Sequence, residues 1–201
     1  MQQSNSADNQ QVSEVEKAWL AGIIDGEGCI TISMVPRPKV QKKYYTPVVD
    51  IANICPILMA KVIDIINKIG CGKYISMRRF EPNRGKRRTA IDVRVMGLMR
   101  VPKLLVAVLP YLVSKQEEAL ITIRFCQMRL LADSPAPKHA IPYTEEEMEL
   151  YSRVRKIKEL RHLREHTPDL TKTVEKMCSE LHSDMQRIAE MPIPYRIKGK
   201  Y

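Results

Sequence analysis

Two acids, Asp25 and Glu27, stand at the end of the run Leu20-Ala-Gly-Ile-Ile-Asp-Gly-Glu-Gly28, each followed by a glycine. Carboxylates are hard oxygen donors, and a pair at the end of an element can gather a divalent cation or handle a proton. The preceding residues say how such acids would be carried. Ala18, Gly22 and Gly26 fall four apart, a small-residue stripe that lets another backbone approach closely. Leu20, Ile23 and Ile24 occupy core spacing on another face. Glycine inside a helix costs about 1 kcal/mol against alanine, so three in seven residues need a reason. The pattern predicts a helix that packs against a copy of itself and delivers an acid at its carboxyl end.

The nine residues resemble the signature of the LAGLIDADG homing endonucleases, with Ile for Leu at the fourth position, Gly for Ala at the seventh and Glu for Asp at the eighth. The resemblance implies an α+β fold of αββαββα order and a metal-dependent DNA endonuclease. It places the metal-binding acid at the eighth position, hence Glu27, with the Gly26 carbonyl as a further ligand. Asp25 joins the catalytic set in a supporting place, at the helix end and its packing. Lys115, after Pro110-Tyr111-Leu112, looks like the basic active-site residue of single-motif members, where a cation near the scissile phosphate offsets developing charge. It reads equally as an ordinary first-turn lysine, slightly disfavoured by the helix dipole. Asn53 matches a polar position that helps hold water and metal in the family, and reads equally as a local turn or cap residue. Mg²⁺, with Mn²⁺ as a substitute, suits one carboxylate per subunit plus substrate phosphate.

One signature per chain has a consequence. Two acids are needed at one cut site, so the resemblance implies a homodimer on a long, near-palindromic target, with Ala18, Gly22 and Gly26 at the dimer interface. It also implies cleavage across the minor groove, 3′ overhangs, and a gene carried in an intron or intein. Two other functions share this scaffold: an intron RNA maturase, and a DNA-binding regulator without catalysis. The retained Glu27 argues against the regulator.

Composition agrees with a polyanionic partner. The 201 residues carry 33 Lys and Arg against 23 Asp and Glu, a formal charge of +10. No apolar run approaches the roughly 18 residues that a membrane span needs. The polar stretch Met1–Gln11 reads as a disordered lead-in, unlike a secretory or Arg-rich transit segment. Cys29, Cys55, Cys71, Cys126 and Cys178 show no paired spacing, which fits a reduced, intracellular protein. His162 and His166 are four apart in a densely charged segment and read as part of a solvated face.

The elements that must position these residues follow from periodicity and caps. Ser13 with Glu16 forms a capping box, which starts the signature helix near Glu14. Ile30, Ile32 and Met34 alternate with Thr31 and Ser33, a half-buried strand, and a second strand covers Tyr45 to Ala52. Pro56 and Gly70 bracket a helix with a stripe of Leu58, Val62, Ile65, Ile66 and Ile69. Strands at Tyr74–Phe80 and Ala90–Met96, a helical stretch from Leu98 to Leu112, and a helix opened by a Ser114–Glu117 capping box through Leu131 complete a core over 13–132. That core reads as helices on one face of a four-stranded antiparallel sheet. Residues 133–143, with three prolines, read as a linker. Residues 144–201 read as a helical extension, capped first by Thr144 with Glu147 and then opened by Thr167-Pro168, whose helices buttress the core.

The open sheet face and its turns are the expected DNA surface. Ser33, Asp50, Tyr74, Ser76, Arg78, Asp92 and Arg94 alternate away from the apolar side. Arg78 and Arg94 suit guanine edges, and an outward Asp50 or Asp92 suits cytosine or the orientation of a neighbouring arginine. Arg37, Lys39, Lys42 and Lys43 in one turn, and Arg84, Lys86, Arg87 and Arg88 in the next, suit phosphates.

Overall fold

The computed structural model describes residues 11–37, 42–78, 89–132 and 141–166. Helix α1 (Glu14–Glu27) leads directly into β1 (Gly28–Arg37), which pairs with β2 (Lys42–Asn53). Helix α2 (Pro56–Lys68) follows, then β3 (Tyr74–Arg78), β4 (Ala90–Met96) and α3 (Arg100–Val108). A short 3-10 turn (Leu109–Tyr111) links α3 to α4 (Gln116–Leu131), and α5 covers Glu145–His166. The four strands form one sheet in the order β1-β2-β4-β3, every pairing antiparallel. The expected fold class, α+β with the αββαββα order, is therefore the observed one. The chain forms two compact units, Met1–Val154 and Arg155–Tyr201. Every contact described below lies within the first. No helix among the described residues is long and apolar enough to cross a membrane.

The helices start where local chemistry makes them start. The Glu16 amide donates to the Ser13 hydroxyl at 3.2 Å while the Ser13 amide donates to the Glu16 carboxylate at 3.1 Å. Two of the four amides left unpaired at any helix start are satisfied this way. Glu16 also takes the Lys61 and Lys68 ammoniums, each at 2.8 Å, tying α1 to α2. Pro56 occupies the first turn of α2, and beyond its end Gly70 takes φ +74°, where a side chain would be strained.

One face of the sheet receives the helices. Leu20, Ala21 and Ile24 from α1, Met59, Val62, Ile65 and Ile66 from α2, and Val101, Leu104, Leu105 and Val108 from α3 pack on Ile30, Val49, Ile51, Val93 and Val95 of the strands. Each buried Leu or Ile side chain contributes about 1.5–3 kcal/mol, so this layer dominates stability. Ile30 and Ile32 are buried as the alternation predicts, but Met34 is 43% exposed. The strand runs on past the edge of the core there.

One expectation is corrected. Ser114 does not cap α4: Lys115 is the N-cap residue, with no side-chain cap bond, and the Ser114 hydroxyl instead donates to Asp25 at 3.1 Å. A charged acceptor from α1 outcompetes the local box. Asp92 keeps the face that alternation gives it. The register puts it on the sheet face away from the helices, opposite Ala52 and Ser76, yet it is only 3% exposed. Its carboxylate accepts from Arg94 at 3.3 Å, the arrangement in which it orients a neighbouring arginine.

Candidate active site and nucleic-acid interface

The site begins at the end of α1. Glu27 is the last residue of this helix and is exposed, as is Gly26. Gly28 then starts β1 with its amide donating to the Ile24 carbonyl. A Cβ at position 28 would stand 2.7 Å from that oxygen, so only glycine allows the strand to leave the helix this tightly. Gly22 and Gly26 are different. Among the described residues, a Cβ added at either meets nothing within 4 Å. Ala18 is half-buried, Gly22 and Gly26 are exposed, and Trp19 beside them retains 38% exposure. The stripe is an open face, opposite the one that buries Leu20 and Ile24.

Asp25 turns the other way, toward the segment that precedes α4. Its carboxylate accepts the Val113 amide at 2.7 Å, the Lys115 amide at 3.0 Å and the Ser114 hydroxyl. Partial burial pushes the Asp25 carboxyl upward, and the amides and hydroxyl of Val113, Ser114 and Lys115 outweigh it, holding the group below the ordinary carboxylate range. Lys115 answers in kind. Its buried ammonium donates to the Ile24 carbonyl at 2.9 Å and to the Asp25 carbonyl. Asp25, Glu27 and Lys115 thus converge on the carboxyl end of α1. Asn53, at the end of β2, accepts the Cys55 amide at 2.8 Å through its side-chain oxygen, a turn that leads the chain into α2.

The donors on the exposed helix end, the Glu27 carboxylate and the Gly26 carbonyl, are both oxygens, which fits a hard divalent cation. Among the described residues no group of three or more His, Cys, Asp and Glu converges on a point.

The sheet face away from the helices carries the expected polar row. Asp50, Arg94 and Tyr74 lie side by side across three strands, with Asp92 and Ser76 one rung along. Arg94 donates to Asp50 at 2.9 Å and to Asp92 at 3.3 Å. Burial, then the hydrogen bond with Asp92, raise the Asp50 carboxyl above its ordinary value against the lowering pull of Arg94. An open trough of about 530 Å³ runs along this face, lined by Tyr44, Thr46, Tyr74, Ser76, Arg94 and Arg100 among others. Ser33 stands on the same face, opposite Thr46. Tyr44, Thr46 and Arg100 were not anticipated. The odd–even phase of β2 pointed to Thr46, whereas nothing local marked Arg100, which reaches the trough from the start of α3. Lys39, Arg84, Lys86, Arg87 and Arg88 lie outside the described residues, as do the side chains of Arg37, Lys42, Lys43 and Arg78.

No protein-family model and no curated protein matches this sequence. Solved structures do. The homing endonuclease I-CvuI, in complex with its target in the presence of 2 mM Ca, aligns at TM-score 0.52 and 22% identity over 72% of this chain and 82% of its own. The group I intron-encoded homing endonuclease I-CeuI, complexed with DNA, aligns at TM-score 0.46 and 14% identity over 59% of this chain and 56% of its own. The order of elements, the antiparallel sheet and the likeness to I-CvuI agree: the chain has the LAGLIDADG homing-endonuclease fold.

Proposed function

We propose that this chain is a site-specific DNA endonuclease of the homing type, acting as a homodimer on a long, near-palindromic target and leaving 3′ overhangs. The observation that carries the reading is the open glycine stripe of α1. Among the described residues nothing comes within 4 Å of a Cβ built at Gly22 or Gly26, so the described fold gives no reason for two residues that each cost a helix about 1 kcal/mol. A second copy of α1 packed on that stripe supplies the reason. It also brings two Glu27 carboxylates together near a two-fold axis, completing a shell that one chain leaves partial. That I-CvuI was solved on its target with Ca supports DNA and a divalent cation as ligands of this fold.

In this reading Glu27 and the Gly26 carbonyl would hold Mg²⁺, with Mn²⁺ as a substitute. A bound cation supplies Lewis acidity and a more acidic water. The chain's own groups do the rest. Lys115 adds positive charge at the helix end, where negative charge grows as the phosphodiester opens. Asn53 holds the β2–α2 turn and a polar position beside it. Arg94 presents donors to a guanine edge, braced by Asp50 and Asp92, while Tyr44, Tyr74 and Arg100 line the track that a duplex would follow. The basic residues Arg37, Lys39, Lys42, Lys43, Arg84, Lys86, Arg87 and Arg88 suit the phosphates.

The test is cleavage of a randomised duplex library, or of the intron-free allele, with Mg²⁺. Glu27→Gln is expected to abolish cutting and to leave DNA affinity largely intact. Substantial cleavage by this variant moves the metal role elsewhere, with Asp25 the next candidate. A stable monomer on and off DNA, read by light scattering, contradicts the dimer. Tight binding of intron RNA with no double-strand cut replaces the endonuclease by a maturase.

A further inference from the structure

We infer that Asp25 is the positioning residue for the Lys115 cation, setting the Val113–Lys115 segment so that the ammonium lies on the last carbonyls of α1, beside Glu27. The inference rests on the proposed function, which gives the Lys115 charge its task. An acid in the last turn of α1 and a lysine at the N-cap of α4 each stand at the end of their own helix that disfavours them. In the folded chain each crosses to the other helix. The Asp25 carboxylate lies against the amides that open α4, and the Lys115 ammonium lies against the carbonyls that close α1. Both charges thereby reach the favourable pole of a dipole, and each bond makes the other geometrically possible.

The clasp is specific in its geometry. Two backbone amides and a hydroxyl on three successive residues converge on one carboxylate, which fixes where the Lys115 Cα stands. From that point the four-carbon stem reaches two successive carbonyls, Ile24 and Asp25, immediately before Gly26 and Glu27. A lysine free of the clasp would spread over many rotamers, and its charge would not be aimed. Asp25 touches neither metal nor phosphate in this account. It acts through Lys115.

The experiment uses the full chain with Asp25→Asn, which keeps size but turns one acceptor into a donor facing an amide. The first readout is the ¹⁵Nζ spectrum of lysine. Wild type is expected to show a distinct, slowly exchanging Lys115 ammonium, assigned by its loss in Lys115→Arg, and Asp25→Asn is expected to merge it with the solvent-exposed lysines. The second readout is single-turnover cleavage with Mg²⁺ on a target selected from the duplex library. Asp25→Asn is expected to slow it on the order of tenfold to a hundredfold with target Kd unchanged within about twofold. An unshifted Lys115 signal in folded Asp25→Asn overturns the inference, as does a wild-type rate. A purely structural Asp25 would lower the melting temperature and leave both readouts alone. If Asp25→Asn does not fold, Ser114→Ala removes one of the three donors, and unchanged Lys115 exchange in it overturns the inference too. Wild type that cuts no DNA refutes the proposed function, while the spectrum still decides the clasp.

Discussion

Arg129 and Arg94 both sit among carboxylates, in surroundings that set them to different work. Arg129 and its partner Glu147 are each 2% exposed and meet at 3.2 Å. The guanidinium also donates to the carbonyls of Ile141 and Pro142 and lies 4.1 Å from the ring centre of Tyr143. Glu147 in turn accepts the Thr144 amide at 2.8 Å, the capping box of α5. Tyr143 packs edge-on to Tyr45, as does Tyr151. The cluster is closed on all sides and fastens the first turns of α5 to α4 and β2. Arg94 has its carboxylates on one side, and 40% of its side chain stays open over the trough. Arg129, enclosed by its partners, braces the fold. A charge held from behind and open in front can still recognise a ligand.

Breaking the closed cluster should have the largest effect. Glu147→Ala leaves a buried guanidinium without its counter-charge and is expected to destabilise the first unit by about 3–5 kcal/mol in urea denaturation. A loss below about 1 kcal/mol would mean that the carbonyls and the Tyr143 ring suffice, and the contrast with Arg94 would collapse. Next comes Arg94→Ala, which is expected to weaken target DNA binding by about 1–3 kcal/mol and to relax selectivity at one base pair only. Equal weakening on every sequence would instead make Arg94 a phosphate contact. The smallest effect sharpens the open cluster through pH. The Asp50 carboxyl is raised by burial and by Asp92, so the native state holds its proton more tightly than the unfolded chain does. Its contribution to stability is full below the ordinary aspartate value and is lost as pH rises through the raised folded value. Asp50→Asn should flatten that decline in denaturation curves recorded from acid toward neutral pH. A decline equal to that of wild type would assign it to other carboxyls.

What was legible in the sequence was local. Ser13 with Glu16, Pro56 with Gly70, and the alternation at Ala90–Met96 fix elements through neighbours a few residues away, and the elements stand where those signals put them. What was illegible was decided across the chain. Ser114 has a good local partner in Glu117, but Asp25, 89 positions earlier, takes its hydroxyl. Alternation gives the face of Asp92 correctly and says nothing of depth, which depends on the strands to either side. Tyr143 sits in a segment that reads as linker because prolines surround it, yet its ring and hydroxyl dock on Tyr45, 98 residues away. Arg100 lines the trough from the start of α3, which follows the inner strand β4. In the site, the type and spacing of Asp25 and Glu27 marked a helix end. Their surroundings differ: Asp25 accepts the Val113 and Lys115 amides, while Glu27 is exposed.

Helix α1 ends and β1 begins with no residue between them, and the close approach of Gly28 to the Ile24 carbonyl leaves that joint no slack. Under the proposed function the same joint separates the cutting group from the strand that reads the nearest base pairs. The chain then works as a ruler with a fixed zero. Redesigning residues further along β1 would change which sequence is chosen, while the bond that is cut would stay at the same count from the centre of the target.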